Sequence, residues 1–131
     1  MEILLDTNFL IYIAKYKIAS ELDKFFPKKL FLPEQVLREI KSIAAKGKGA
    51  DKESAVIALA LINNWKNNKK LFVVQTIVKS ADKALLELAI TKAANKEDIA
   101  VATLDKKLIK RLKKAKIGII GIRQKKYIML D

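Results

Sequence analysis

The sequence contains neither cysteine nor histidine. Without cysteine there are no disulfides and no thiolate zinc sites; without histidine, imidazole is lost both as metal ligand and as general base. Any metal site must therefore be built from oxygen. Glycine and proline are scarce, at four and two in 131 residues, which argues against long linkers and disorder. Acidic residues are also few: 14 against 27 Lys plus Arg, for a net charge of +13. Uninterrupted apolar runs such as residues 55–63 fall far short of the ~20 residues that span a bilayer, so no membrane-spanning helix and no membrane partner are expected. Met1-Glu2 leads straight into a strand-like run without the basic region and cleavage pattern of a secretory leader. A cytoplasmic location is the expectation.

What is present is enough to build a core. Apolar residues make up 51% of the chain, and a chain of this length buries roughly two thirds of its unfolded surface on folding. One domain over residues 1–131 is expected. The positive charge is uneven, with ten basic and two acidic side chains in residues 100–131. A polyanion is the natural partner of such a surface, although Lys-rich surfaces also occur in heat-adapted proteins.

Hydrophobic periodicity alternates between strand and helix. Strands are expected near residues 2–6, 30–32, 71–74, 99–103 and 118–122, with 127–130 as an edge strand. Helices are expected near 8–18 (extending to 26 in one reading), 34–46, 52–67, 82–95 and 106–116. Strands that are continuously apolar and alternate with helices specify an α/β domain with a mostly parallel, doubly wound sheet in three α/β/α layers. Ligands in such sheets collect outside the carboxyl ends of the strands, where the strand order reverses. Gly47-Lys48-Gly49 lacks the ending of a phosphate-binding loop and follows no strand, so it reads as a basic turn. Trp65 and Phe72 read as core, and Tyr127 as packed in the last strand, with base stacking as the alternative.

Four of the scarce acids stand where a carboxylate needs a reason. Asp6 closes the apolar run Ile3-Leu4-Leu5, and Asp105 follows the run 99–103; each also qualifies as a helix N-cap. Glu39 falls beside the apolar stripe Val36, Leu37, Ile40, Ile43 and Ala44 of its helix. Asp82 shares a stripe with Leu85, Leu86, Ala89 and Ala93, so its carboxylate is expected to point toward the sheet. An open α/β sheet can focus all four on one cleft. Carboxylates so gathered repel one another, and a divalent cation is the simplest compensation.

Three segments resemble the PIN-domain ribonuclease family: Ile3-Leu4-Leu5-Asp6-Thr7-Asn8-Phe9-Leu10, Val36-Leu37-Arg38-Glu39-Ile40, and the closing pair 81–89 with 101–108. The resemblance covers essentially the whole chain. It implies a PIN-like α/β/α fold, a Mg²⁺ or Mn²⁺ site made by Asp6, Glu39, Asp82 and Asp105 as the catalytic group, and endonucleolytic cutting of single-stranded RNA. Thr7, Asn8 and Thr103 would support the site through hydrogen bonds. Lys106, Lys107, Lys110, Arg111, Lys113, Lys114 and Arg123 would hold the RNA backbone. Lys83 stands where many relatives have a second acid, which leaves one- or two-metal occupancy open. The tail Leu104 to Lys116 followed by Ile122-Arg123-Gln124-Lys125-Lys126 resembles small archaeal PIN proteins related to nucleases of ribosomal RNA processing, whereas toxins of toxin–antitoxin pairs share the same four carboxylates. An antitoxin or a ribosome-assembly partner is the corresponding expectation, and relatives often pair as homodimers. A non-catalytic RNA-binding or ribosome-assembly module is the alternative from another class.

Overall fold

The computed structural model describes residues 1–25 and 29–131. Six strands form one sheet in the order β3-β2-β1-β4-β5-β6. They are β1 (Glu2–Leu5), β2 (Lys29–Pro33), β3 (Leu71–Val74), β4 (Ile99–Ala102), β5 (Gly118–Arg123) and β6 (Tyr127–Leu130). The first five run parallel, and β6 returns antiparallel on β5. Among the described residues the α-helices are α1 (Thr7–Lys15), α2 (Glu34–Lys46), α3 (Gly49–Asn67), α4 (Ala81–Ala94) and α5 (Lys106–Lys114). Helices α1, α2 and α3 pack on one another, while α4 packs with α5 and against β4. This is the three-layer, doubly wound arrangement the alternation predicts.

Burial follows position in the sheet. The central strands β1 and β4 are covered on both faces, so Ile3, Leu4, Leu5, Val101 and Ala102 are all fully buried. That is why their sequences read as continuous apolar runs rather than alternating ones. The edge strands are less covered, and two expectations fail there. Phe72 on β3 is 41% exposed and Tyr127 on β6 is 42% exposed. Both belong to outermost strands, where one neighbour is missing. Trp65 is partly buried against the core, as expected.

Helix ends show how the chain manages with so little glycine. Lys17, Lys69, Lys96 and Lys116 each take positive φ just past the end of α1, α3, α4 and α5. Each is followed by a backbone bond back into the last turn, as in Ile18 N–H to the Ile13 carbonyl and Ile117 N–H to the Leu112 carbonyl, both 3.0 Å. These are helix-terminating motifs in which glycine is the usual residue, and lysine occupies the position here. The motif at Lys17 stops α1, so the extension of the first helix beyond residue 18 is replaced by a 3₁₀ helix at Ala19–Phe25; residue 26 lies outside the described residues. The motif at Lys116 likewise ends α5 early and leaves Ala115 exposed, while Leu108 and Leu112 form its inward face. Among the described residues no helix is long and apolar enough to cross a membrane.

Candidate active site

Strand order reverses between β1 and β4, since β1 proceeds to β2 on one side while β4 leads to β5 on the other. A crevice opens at the carboxyl ends of this pair. Asp6 directly follows β1, and Asp105 stands three residues after the end of β4. A cavity of about 500 Å³ lies there, lined by Asp6, Glu39, Asp82 and Asp105, with Thr7 and Asn8 at the start of α1. All four acids are thus brought to one cleft from four different elements.

Each acid is held differently. Asp6 is 5% exposed. Its Oδ1 accepts the Thr7 backbone N–H at 2.7 Å, and its Oδ2 accepts the Thr103 hydroxyl at 2.6 Å. Thr103, fully buried, also accepts the Asp105 backbone N–H at 3.1 Å. Asp105 caps α5, with Oδ1 accepting from the Lys107 and Leu108 N–H groups at 2.8 and 3.1 Å. Glu39 Oε2 accepts the Thr7 hydroxyl at 2.8 Å. Asp6 and Asp105 are therefore both helix caps and cavity walls: capping engages Oδ1 of each, and Asp6 Oδ2 is held in addition by Thr103.

Asp82 departs from expectation. The buried stripe of α4 is Ala81, Ala84, Leu85 and Ala89, and Asp82 is exposed beside it. The register is offset by one residue, because Ser80 caps the helix by accepting the Lys83 N–H at 3.2 Å and turns the small Ala81 inward. Asp82 faces the cleft from the first turn rather than pointing at the sheet.

The charges repel as the sequence implies. Burial raises the pKa of Asp6 above the ordinary 3.8; the Thr103 and Thr7 hydrogen bonds oppose that, and the negative charges of Asp82 and Glu39 add to it. Asp82 is also raised, by desolvation first and then by Asp105, with Arg111 opposing. Among the described residues none of the four acids enters an ion pair. Unpaired, hard carboxylate oxygens are the donor chemistry that Mg²⁺ or Mn²⁺ takes. Among the described residues no group of three or more acids is placed to hold one ion together.

The cavity is also lined by Gln35 and Arg38 on α2, and by Lys79, Ser80 and Ala81 ahead of and at the start of α4, none of which stands out as a site residue in the sequence. Arg38 offered one signal, its place beside Glu39 on the same helix. Gln35 offered none, because a glutamine in a first helical turn carries no pattern of its own. Lys83 lies outside this cavity and lines a neighbouring groove with Val78, Leu86 and Ile90. Of the basic residues, Lys107, Lys110, Arg111 and Lys114 line one groove of about 220 Å³ on α5, and Lys106 and Lys113 are exposed elsewhere on that helix. Arg123 ends β5, where its guanidinium pairs with Asp131 at 2.9 Å.

Residues 3–125 match the family described as PIN like domain. The chain belongs to that family. The resemblance to PIN-domain ribonucleases carried by the three motifs is borne out, and the cleft falls inside the matched span. Ribonuclease VapC4 of Methanocaldococcus jannaschii is 36% identical over 130 residues, covering 93% of this chain and 90% of that protein. The PIN domain endonuclease Utp24 superposes with a TM-score of 0.72 over 99% of this chain and 90% of that one; at 20% identity the likeness is one of fold.

Proposed function

We propose that this PIN-family chain is a divalent-metal-dependent endoribonuclease that cuts single-stranded RNA at the four-carboxylate cleft. One observation carries the reading. A protein of net charge +13 gathers Asp6, Glu39, Asp82 and Asp105 on one cavity, and among the described residues none of them forms an ion pair with the chain's abundant cations. The likeness to a ribonuclease over 93% of the chain supports RNA as the substrate.

Asp6, Glu39, Asp82 and Asp105 would hold Mg²⁺ or Mn²⁺, which when bound supplies positive charge to the phosphate and makes nearby water more acidic. The chain's own part is placement. Thr103 and Thr7 fix both oxygens of Asp6, and the Thr7 hydroxyl orients Glu39. Asn8 stands exposed on the cavity wall, within reach of a substrate. The α5 groove of Lys107, Lys110, Arg111 and Lys114 begins two residues after Asp105 and offers a track for the RNA backbone. Arg123 joins it only by exchanging its Asp131 partner for phosphate.

As to biological role, the 36% identity with ribonuclease VapC4 supports a toxin-type nuclease with an antitoxin partner, with ribosomal RNA processing as the alternative. The deciding experiment is incubation of single-stranded RNA with the protein in Mn²⁺, Mg²⁺ or EDTA. Cleavage that needs the ion and is lost in Asp6→Asn is expected. Salt-sensitive RNA binding with no cut product in any of these conditions would reassign the chain as a binding module.

A further inference from the structure

The segment between β3 and α4, residues 75–80, has no regular secondary structure. It exposes Ile77 at 96% and therefore gains little from burial. Among the described residues no backbone-to-backbone hydrogen bond fastens residues 76–79 to the body of the protein. Yet this segment delivers Lys79, Ser80 and then Asp82 to the cavity. Something other than its own backbone must set its position.

The tie is a side chain on α2. Gln35 is 6% exposed, and its Nε2 donates to Thr76 Oγ1 at 2.6 Å and to the Val78 carbonyl. Both donor hydrogens of one amide are spent on this one segment, across more than forty residues of sequence. Its Oε1 is buried without a partner among the described residues. An unpaired buried acceptor is costly, and a leucine would avoid that cost, so what the amide supplies here is the pair of donations. Gln35 also stands four residues before Glu39 on α2, one turn away on the same face.

We infer that Gln35 is a positioning residue, whose amide latches the β3–α4 connection to the helix that carries Glu39 and so sets the separation of Asp82 and Lys79 from Glu39 across the cleft. One rigid helix then fixes one acid directly and another through two hydrogen bonds. The inference rests on the nuclease reading for its effect on cleavage, and on the structure alone for the latch itself.

Gln35→Leu in the full chain removes both donations at similar volume. Amide hydrogen exchange across residues 76–82 is expected to quicken about tenfold or more while β1 and β4 stay unchanged. The turnover rate on saturating single-stranded RNA with Mn²⁺ is expected to fall between about tenfold and a hundredfold, with KM moving by less than about threefold, as for a misplaced rather than missing contact. Thr76→Val removes one of the two bonds from a half-buried site and covers the case in which Gln35→Leu does not fold. It is expected to give a smaller change of the same kind, and no further change when added to Gln35→Leu. Unaltered exchange at 76–82 overturns the latch. Faster exchange spread over the whole sheet, or local loosening with unchanged turnover, overturns the positioning role. If wild-type protein cuts no RNA, the nuclease reading falls, and the exchange measurement still decides the latch.

Discussion

Thr103 gives its hydroxyl proton to Asp6 Oδ2 at 2.6 Å and takes the backbone N–H of Asp105 at 3.1 Å. One buried side chain therefore joins the acids at the ends of β1 and β4, 99 residues apart in sequence. It lines no part of the cavity, so it acts on the cleft entirely through the two acids.

Thr103→Val is nearly the same shape and removes both bonds. It leaves a buried carboxylate oxygen and a backbone N–H short of partners, at a cost of about 1–3 kcal/mol for each group. Urea denaturation should show a total loss of roughly 2–6 kcal/mol. Thr103→Ser should recover most of the stability and RNA cleavage, because the hydroxyl rather than the methyl makes the link.

Asp82 has a raised pKa from desolvation and from Asp105, so ionising it opposes folding. Asp82→Asn should raise the melting temperature slightly at neutral pH while reducing metal-dependent cleavage by an order of magnitude or more, the trade-off expected where function keeps like charges together. Calorimetry beside a cleavage assay checks both signs. A lower melting temperature would show that Asp82 is anchored by contacts stronger than the repulsion.

For Asp6 the sign of the pH dependence follows from the same raised pKa. Its unfolded form loses a proton near 3.8, before the folded form does. The stability it contributes is thus greatest below 3.8, falls as pH rises through the folded value, and stays at its lower level above. Carboxyl-detected NMR should place the Asp6 midpoint above 3.8 without divalent ions, and Mn²⁺-dependent cleavage should fade on the acid side as Asp6 protonates.

On α5, replacing Lys107, Lys110, Arg111 and Lys114 together by alanine should weaken binding of single-stranded RNA uniformly across sequences. If each meets one phosphate, the slope of log affinity against log salt should become shallower by about 3, from roughly 0.7 per contact on a single strand. Filter binding over a salt series measures it. An unchanged slope would place the RNA on another face.

Lysine at the left-handed position after a helix carries a strain of roughly 1 kcal/mol that glycine avoids. Lys69→Gly and Lys96→Gly should therefore stabilise the fold by up to about 1 kcal/mol each, read from thermal unfolding.

The alternation of elements was legible because central parallel strands are apolar on both faces, and the acids at their ends were legible because a carboxylate after such a run is out of pattern. The departures share a cause. Phe72 and Tyr127 read as interior because an apolar residue in a strand does not reveal whether the strand is at an edge. Asp82 reads as part of the inner stripe because Ala81, too small to weigh in a hydrophobic pattern, is what the Ser80 cap turns inward. Helix ends at Lys17 and Lys116 were invisible because lysine gives none of the signal that glycine would.

What the chain order alone determined is the composition of the cleft: with no histidine or cysteine, its chemistry had to be carboxylate oxygen, and the strand-ending acids had to meet at the sheet's carboxyl edge. What only folding decided is how those oxygens are held and how far apart. Those depend on bonds between residues distant in sequence, Thr103 to Asp6, Thr7 to Glu39 and Gln35 to Thr76, and side chains that meet only after the sheet is assembled leave no periodicity by which to foresee them.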